Sequence, residues 1–277
     1  MPELPEVVTV TNTIKPSLIN RTIIKSEIFS NKIVSSISVE QFINLTKEQK
    51  ILDIYNLAKY IVFELKEYVI ISHLRMTGKW VIEDPDQYAY KKSWLKAEFL
   101  LDNNLVARFY DMRGFGTLNL YNKSTFLKDS HLDKLGPIPL NNQTSVDYLF
   151  NKLQKSNKAI KTVLLDQHVI SGLGNIYVNE VLFLSKINPL TNANLITKDQ
   201  TKEIIKNCEN VLSQAILLKG TTINDFESLP GVTGSYQNKL FVHLNNKNCK
   251  LCNTKISKIK VNGRGTYYCF NCQNNCG

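Results

Sequence analysis

Four of the six cysteines form two Cys-X-X-Cys pairs near the carboxyl end of the chain. Cys249-Lys-Leu-Cys252 and Cys269-Phe-Asn-Cys272 are separated by 16 residues. Pairs with this spacing bring four thiolates together around a tetrahedral zinc ion, and a complete set of thiolates leaves no open position for a substrate. The sequence therefore predicts one structural zinc ion bound by Cys249, Cys252, Cys269 and Cys272.

The segment between the two cysteine pairs is basic and has the pattern of a β-hairpin. It contains three lysines and Arg264 but no acidic residue, and Asn262-Gly263 is typical of a two-residue hairpin turn. Glycines on both sides of Arg264 permit a close backbone approach. A hairpin of this kind suits contact with phosphates, whereas a merely solvated turn is the simpler alternative.

The amino-terminal segment MPELPEV could supply an unusual nucleophile. Removal of Met1 would expose the secondary amine of Pro2, and an α-amine with a pKa of roughly 7.7–8.0 is partly neutral near pH 7. Such an amine condenses with an aldehyde-level carbon to form an iminium ion. Glu3 and Glu6 beside it could serve this chemistry, but taken alone they favour simple capping of a helix.

The charge distribution favours a polyanionic partner. The formal net charge is +10, and residues 1–149 hold 18 basic and 17 acidic side chains whereas residues 150–277 hold 16 and 7. A basic surface gains affinity for nucleic acid by releasing condensed counterions. General solubility and a lysine-rich composition are the alternative explanations.

The composition, with 43% hydrophobic and 21% charged residues, is typical of a folded globular protein. No run of 18 apolar residues occurs, and no basic segment followed by an apolar stretch begins the chain. We therefore expect neither a membrane span nor a signal peptide, and we expect a cytoplasmic protein.

The periodicity of apolar residues predicts an α+β fold. Val7, Val10, Ile14 and Leu18 are spaced three and four residues apart and predict an amino-terminal helix. Between residues 22 and 121, short β-rich runs are separated by turn residues and predict a sheet domain.

The second half of the chain changes character. Residues 125–220 have helical periodicity, and KLFVHL at 239–244 predicts a short strand before the cysteine-rich end. We expect three domains, at 1–134, 135–240 and 241–277.

Six segments spread over the whole chain carry a family resemblance. They are MPELPEV (1–7), LAKY (57–60), HLRMTGKW (73–80), DMRGFG (111–116), SGLGNIYVNEVLF (171–183) and GRGTYYCFNCQ (263–273). Their sequences and order resemble the formamidopyrimidine-DNA glycosylase family. The resemblance implies an N-terminal β-sandwich domain with flanking helices, a C-terminal helical helix-two-turn-helix domain and a zinc-ribbon β-hairpin.

The resemblance also implies an activity and catalytic residues. Members of this family are bifunctional DNA glycosylases and AP lyases of base-excision repair, which remove oxidised purines such as 8-oxoguanine and formamidopyrimidines from duplex DNA. Pro2 would attack C1′ of the damaged nucleotide, and Glu3 would act as general acid and base. Lys59 and Arg264 would hold the phosphates that flank the lesion during β- and δ-elimination, where a cation stabilises the leaving phosphate.

Eight further positions are implied to contact DNA: Glu6, Met76, Lys92, Arg113, Phe115, Lys158, Asn175 and Tyr236. Met76, Arg113 and Phe115 match the trio that fills the gap left when a nucleotide is rotated out of the duplex. Glu6 matches the position that faces the everted base. Asn175 matches a phosphate ligand at the start of a helix.

The match includes a lesion-covering loop and several departures. Residues 220–236 match the loop that covers an everted 8-oxoguanine. Lys92 and Trp94 stand where the family usually has two histidines near a phosphate, and Gly114 stands where a second basic residue is common. His243 lies in a run, 241–245, that replaces a more usual phosphate-contacting sequence.

Two other functions remain open from the sequence. The endonuclease VIII branch shares the Pro-Glu start and the zinc hairpin but prefers oxidised pyrimidines, and Leu4-Pro5 together with the 220–236 loop favours the purine branch. A non-catalytic zinc-ribbon protein that binds DNA or RNA would bind without strand scission. We expect damaged double-stranded DNA as the partner and a monomeric protein.

Overall fold

The computed structural model describes residues 2–222, 234–244 and 247–273. The chain divides into two compact units. Unit 1 consists of Met1–Asp133 and Lys219–Ser235, and unit 2 consists of Lys134–Leu218 and Tyr236–Gly277. Among the described residues, none of the helices combines the length and apolar character needed to cross a bilayer.

Unit 1 contains a sandwich of two antiparallel sheets. Its strands are β1 (Thr22–Ile28), β2 (Gln49–Lys50), β3 (Asp53–Leu57), β4 (Tyr60–Glu64), β5 (Tyr68–His73), β6 (Gly78–Glu83), β7 (Leu95–Leu101), β8 (Val106–Asp111) and β9 (Thr117–Asn122). One sheet has the order β2-β1-β7-β8-β6 and the other has the order β3-β4-β5-β9. The predicted sheet domain is confirmed.

The helices of unit 1 flank the sandwich. They are α1 (Leu4–Leu18), α2 (Val39–Thr46) and α3 (Phe126–Asp129), with short 3-10 helices at Asn31–Ile33, Lys92–Trp94 and Leu132–Lys134. The four apolar residues that predicted α1 are buried in one core with side chains from both sheets. Inside this core the Trp80 indole N–H donates to the Ser72 hydroxyl at 2.9 Å, which joins the two sheets and satisfies a buried donor.

Unit 2 is helical apart from its terminal hairpin. Its helices are α4 (Val146–Gln154), α5 (Ile160–Leu164), α6 (Asn175–Leu184) and α7 (Lys198–Leu217), with short 3-10 helices at Ala193–Leu195 and Tyr236–Lys239. The predicted helical half is confirmed, and α6 begins at Asn175, directly after the Gly-Leu-Gly turn.

The hairpin consists of β10 (Ser257–Val261) and β11 (Arg264–Tyr268). Asn262 and Gly263 both have positive φ, 47° and 74°, which is the backbone conformation of a type I′ turn. The predicted turn is therefore confirmed.

The strand predicted at 239–244 is wrong. The 3-10 helix Tyr236–Lys239 enters this segment, and the residues after it form bends and turns. The backbone N–H groups of Phe241, Val242 and His243 all donate to the Glu180 carboxylate, at 2.7, 3.0 and 2.7 Å. N–H groups that donate to a carboxylate are not available to pair with a neighbouring strand. The apolar residues of the KLFVHL segment therefore indicate burial and not membership of a sheet.

Candidate DNA-binding and catalytic site

The amino-terminal segment is buried and fixed by a helix cap. Pro2, Glu3 and Glu6 are all buried, and α1 begins at Leu4. The Glu3 backbone N–H donates to Glu6 Oε2 at 2.8 Å, which satisfies one of the donors that a helix start leaves unpaired. Pro5 lies in the first turn, where the missing N–H costs little. The capping interpretation is thus correct, and it holds the Pro2 end of the chain in a defined place.

Glu6 also anchors a segment far along the chain. Its Oε1 accepts from the Thr221 backbone N–H at 2.8 Å and from the Thr221 hydroxyl at 3.0 Å. Gly220 has a φ of +77°, and a Cβ there would lie 2.6 Å from Glu6 Oε1, so only glycine fits.

The expected lesion-covering loop begins at this anchor. The Gly234 N–H donates to the Thr222 hydroxyl at 2.9 Å, so the two described ends of the loop lie together. Residues 223–233, which form most of the expected loop, lie outside the described residues.

Lys59 lies in the turn between β3 and β4 and is only 5% exposed. This burial distinguishes Lys59 from an ordinary surface lysine. Burial, reinforced by the positive charges of Arg75 and Lys59, lowers the pKa of His73 from 6.5 to about 3. His73 is accordingly neutral near pH 7, and its Nδ1 accepts from the Arg75 backbone N–H at 2.9 Å.

The three residues expected to enter the DNA stack lie on two loops of unit 1. Met76 follows β5 and is 36% exposed, while Phe115 follows β8 and is 56% exposed. The Arg113 guanidinium lies 5.2 Å from the centre of the Phe115 ring. Exposed apolar side chains on ordered loops are costly in water, and a gap in a base stack is an environment that suits them.

Asp111 fixes both of these loops. It is only 1% exposed, and its Oδ1 accepts from the Thr77 hydroxyl at 2.5 Å and from the Arg113 N–H at 3.1 Å. Its Oδ2 accepts from the Gly116 N–H at 2.7 Å. A carboxylate that accepts several buried N–H and O–H groups holds them rigidly, so Asp111 and Thr77 position the loops that carry Met76 and Arg113.

A second set of expected residues lies in unit 2, around the hairpin. Arg264 is exposed at the start of β11. The carbonyl of the next residue, Gly265, accepts from Asn175 Nδ2 at 3.0 Å and from Lys161 Nζ at 3.0 Å. Lys161 is fully buried and also donates to the Thr266 hydroxyl at 2.8 Å. The start of α6 and a buried lysine therefore fix the backbone beside Arg264.

The other expected DNA-contacting residues differ in accessibility. Lys92 and Lys158 are exposed. Tyr236 is 5% exposed, and its ring packs 5.7 Å from that of Tyr177. Burial, followed by the negative charge of Glu180, raises the pKa of Tyr236, so the phenol remains protonated.

The four cysteines of the two pairs form one cluster. Their Sγ atoms all lie within 4.8 Å of one another, with Cys249–Cys272 at 3.8 Å and Cys252–Cys269 at 3.4 Å. Zinc–sulfur bonds of about 2.3 Å in a tetrahedron place the sulfurs about 3.8 Å apart, so the cluster fits zinc. The small apolar cluster around it includes Cys249 and Cys269 themselves, which leaves little core to hold the hairpin without a metal.

Three family models match the chain. "Formamidopyrimidine-DNA glycosylase N-terminal domain" matches residues 1–118, "Formamidopyrimidine-DNA glycosylase H2TH domain" matches 135–227 and "Zinc finger found in FPG and IleRS" matches 247–275. The formamidopyrimidine-DNA glycosylase of Ureaplasma parvum is 41% identical over 99% of this chain and 100% of its own length. The chain belongs to the formamidopyrimidine-DNA glycosylase family.

Other relatives and solved structures agree with this assignment. The formamidopyrimidine-DNA glycosylase of Mycoplasma genitalium is 40% identical over 99% of this chain and 96% of its own length. The structure of Lactococcus lactis Fpg with abasic-site DNA is 34% identical and has a TM-score of 0.92 over 99% of this chain and all of that one. A structure of MutM with DNA containing carbocyclic 8-oxoguanine has a TM-score of 0.91 at 34% identity, with the same coverage.

Sequence reasoning missed four buried polar residues that position the site: Thr77, Asp111, Lys161 and Glu180. Three of them lie inside segments that carried the family resemblance, and Lys161 lies among apolar residues just before one. The sequence feature that could have identified them is a charged or hydroxyl side chain among apolar residues or glycines. This feature does not reveal which groups such a side chain binds.

Proposed function

We propose that this protein is a base-excision repair enzyme that removes oxidised purines from duplex DNA and then cleaves the strand by β,δ-elimination. The observation that supports this most directly is the buried amino-terminal segment, in which Pro2 directly precedes a capped helix and two buried glutamates. This arrangement occurs in a chain whose family members are glycosylases. The solved relatives include Lactococcus lactis Fpg in complex with Fapy-dG-containing DNA.

The chemistry begins at the neutral amine of Pro2, once Met1 has been removed. The Pro2 nitrogen forms a bond to C1′ while the C1′–N bond to the damaged base breaks, and Glu3 transfers the protons that this exchange requires. The C1′–O4′ bond of the sugar then breaks as O4′ takes a proton, and the nitrogen lone pair forms the C=N bond of an iminium ion. The iminium ion acidifies the neighbouring C2′–H, so that loss of this proton expels the 3′ phosphate. A second elimination expels the 5′ phosphate, and water releases Pro2.

Lys59 and Arg264 are the proposed partners of the two departing phosphates. A positive charge beside each leaving oxygen stabilises the charge that develops in the transition state. The burial of Lys59 strengthens such an interaction because water screens it less. For Arg264, the bonds from Lys161 and Asn175 to the adjacent carbonyl restrict where the guanidinium can reach.

The remaining proposed contacts recognise and hold the duplex. Met76, Arg113 and Phe115 fill the gap left by the everted nucleotide, and Glu6 faces the everted base. The other proposed DNA-contacting residues are Lys92, Lys158, Asn175 and Tyr236. Cys249, Cys252, Cys269 and Cys272 hold the zinc ion, which supplies folding energy to the hairpin and takes no part in bond cleavage.

Three further properties belong to the same proposal. The chain acts as a monomer, it acts in the cytoplasm, and its domains are 1–134, 135–240 and 241–277. The separate family matches at 1–118, 135–227 and 247–275 support this division.

Borohydride trapping tests the proposed reaction. The zinc-loaded protein, with loss of Met1 verified by mass spectrometry, is mixed with duplexes that carry 8-oxoguanine or an oxidised pyrimidine, and the iminium ion is reduced to a stable adduct. Pro2→Gly should trap far less than the wild type because it replaces the secondary amine. Pro5→Ala is the matched control, since it changes a nearby proline and leaves the amine intact.

The outcomes separate the alternatives. An adduct on the purine lesion that depends on Pro2 supports the proposal. An adduct on the pyrimidine lesion alone would place the protein with the endonuclease VIII branch. Tight binding with no adduct on either lesion would show a DNA-binding protein without the chemistry.

A further inference from the structure

The segment between β6 and β7 holds the two residues that depart from the family's histidine pair. Trp94 packs its ring 6.2 Å from that of Tyr90, with an angle of 29° between the two ring planes. Together with Tyr110 and three other residues they line a cavity of about 200 Å³. Trp94 therefore serves packing, and of the two departing residues Lys92 is the one that carries a positive charge.

Lys92 is exposed, yet its ammonium has a defined neighbour. Its Nζ lies 4.1 Å from the centre of the Tyr88 ring. A cation at this distance is attracted by the negative face of the ring. The ammonium still has N–H groups directed away from the ring, and these remain able to donate to an anion.

The Tyr88 ring is itself held from the protein side. The guanidinium carbon of Arg108 lies 3.9 Å from the ring centre, and Arg108 is only 2% exposed. Arg108 forms ion pairs with Glu98 at 2.8 Å and with Glu83 at 3.0 Å, which fix it across three neighbouring strands.

Arg108 also fixes the backbone that leads to Tyr88. It donates to the carbonyls of Pro85, at 2.7 Å, and Gln87. The Ala89 N–H, directly after Tyr88, donates to Glu83 at 2.8 Å. Both sides of Tyr88 are thus tied to one buried ion-pair network, so the ring is a rigid support on an otherwise exposed segment.

We propose that Tyr88 is a positioning residue that holds the Lys92 ammonium ready to bind one phosphate of the DNA backbone, with Arg108 fixing the ring. A free lysine loses much side-chain freedom when it binds, and a lysine already held on a ring loses less. The proposal rests on the proposed function in one respect, because it takes DNA as the polyanion.

The test measures binding to a duplex with a stable tetrahydrofuran abasic analogue over a series of salt concentrations. The variants are Lys92→Ala, Tyr88→Leu, Tyr88→Phe and the double variant Tyr88→Leu/Lys92→Ala. Lys66→Ala, at an exposed lysine in the turn between β4 and β5, controls for the loss of one positive charge. Thermal unfolding of each variant verifies that it is folded.

Lys92→Ala and Tyr88→Leu should each weaken binding roughly threefold to tenfold and lower the slope of log K against log salt by about one. The double variant should bind no more weakly than Lys92→Ala, since both changes remove the same contact. Tyr88→Phe keeps the ring face and should behave like the wild type, as should Lys66→Ala.

The inference is overturned if Tyr88→Leu keeps the wild-type slope, if the two losses add in the double variant, or if Lys92→Ala binds like the wild type. Borohydride trapping by the wild-type protein is run on an 8-oxoguanine duplex in parallel. If the wild type traps and binds but the variants keep its slope, only the role of Tyr88 fails. If the wild type neither traps nor binds, the proposed function itself fails.

Discussion

Glu6 and Glu180 are both buried carboxylates, each only 1% exposed, and one lies in each unit. Each accepts backbone N–H groups from a segment far along the chain. Glu6 holds Thr221, and Glu180 holds three consecutive residues that begin at Phe241. The described ends of the 219–243 region are therefore anchored by the same chemical device, a buried carboxylate that replaces water as the acceptor of main-chain donors.

The two carboxylates differ in what else they contact. The Glu180 bonds to the 241–243 backbone form a complete structural anchor. Burial raises the pKa of Glu180, and the N–H bonds oppose this shift by stabilising the charged form. Glu6 divides its oxygens between the distant segment and the backbone of Glu3, a proposed catalytic residue. Burial of Glu180 thus serves structure. Burial of Glu6 serves structure as well and also positions the backbone of a proposed catalytic residue.

The largest effect we expect is from removal of the metal. This experiment distinguishes the contribution of the Glu180 anchor from that of the cysteine cluster that follows it. A strong chelator should unfold the hairpin, because structural zinc supplies on the order of 10 kcal/mol of folding free energy in small domains. DNA binding should be lost, while amide hydrogen exchange in the β-sandwich stays slow. Readdition of zinc should restore binding. Unchanged exchange protection in the hairpin after verified zinc loss would show that Glu180 and packing suffice.

Glu180→Ala should have the next largest effect, at about 4 kcal/mol of unfolding free energy, because three N–H groups, two of them buried, lose a charged acceptor. Urea denaturation measures this loss. Glu203→Ala is the matched control, since that exposed glutamate has only a loose pair with Lys206 at 3.6 Å and should change stability by less than about 0.5 kcal/mol. Equal stability of the two variants would contradict the structural role of Glu180.

Glu6→Gln should affect chemistry more than stability. The amide oxygen can still accept the Glu3 N–H at the helix cap, but the amide nitrogen cannot accept from Thr221, so the anchor of the expected lesion-covering loop is lost. Single-turnover excision of 8-oxoguanine should fall about a hundredfold, the usual scale for losing one well-placed polar group.

Trapping of Glu6→Gln on a duplex with a natural abasic site should remain within a few fold of the wild type, since no base is present to face Glu6. Thr221→Val, which removes only the hydroxyl, is the control for the anchor. Equal losses on the two substrates would show instead that Glu6 acts through the geometry of Pro2 and Glu3.

The smallest effect that we expect is the effect of His73 on stability. His73 contrasts with both glutamates because it is buried in its uncharged form. Its pKa is lowered from 6.5 to about 3, so below pH 6.5 the unfolded chain binds a proton that the native protein excludes. The native protein therefore becomes less stable as the pH falls from 6.5 towards 3. The stability lost through His73 amounts to about 2 kcal/mol at pH 5.

His73→Asn retains an acceptor for the Arg75 N–H but does not titrate. Urea denaturation at pH 7 and pH 5 should show a smaller loss for this variant than for the wild type, by about 2 kcal/mol. Identical losses in the two proteins would mean that His73 is protonated in the native state.

The elements were largely predictable from the sequence, and the polar contacts were not. The spacing of Val7, Val10 and Ile14 fixed the helix α1, and Asn262-Gly263 fixed the turn of the hairpin. The KLFVHL segment shows the limit, because its apolar pattern is compatible with a strand and its N–H groups are taken by a residue on α6. Lys59 was identified through the resemblance, but its burial required the fold.

The sequence by itself determined what depends on neighbours along the chain: helix periodicity, turn chemistry, the cysteine pairs and the family motifs. Such features involve residues a few positions apart, and local sterics and ligand spacing decide them. The tertiary structure alone decided which carboxylates are buried and which N–H groups they bind. The Glu6 and Thr221 partners are 215 positions apart, and Glu180 binds residues 61 to 63 positions away, where no local rule operates and only the packing of the chain selects the partner.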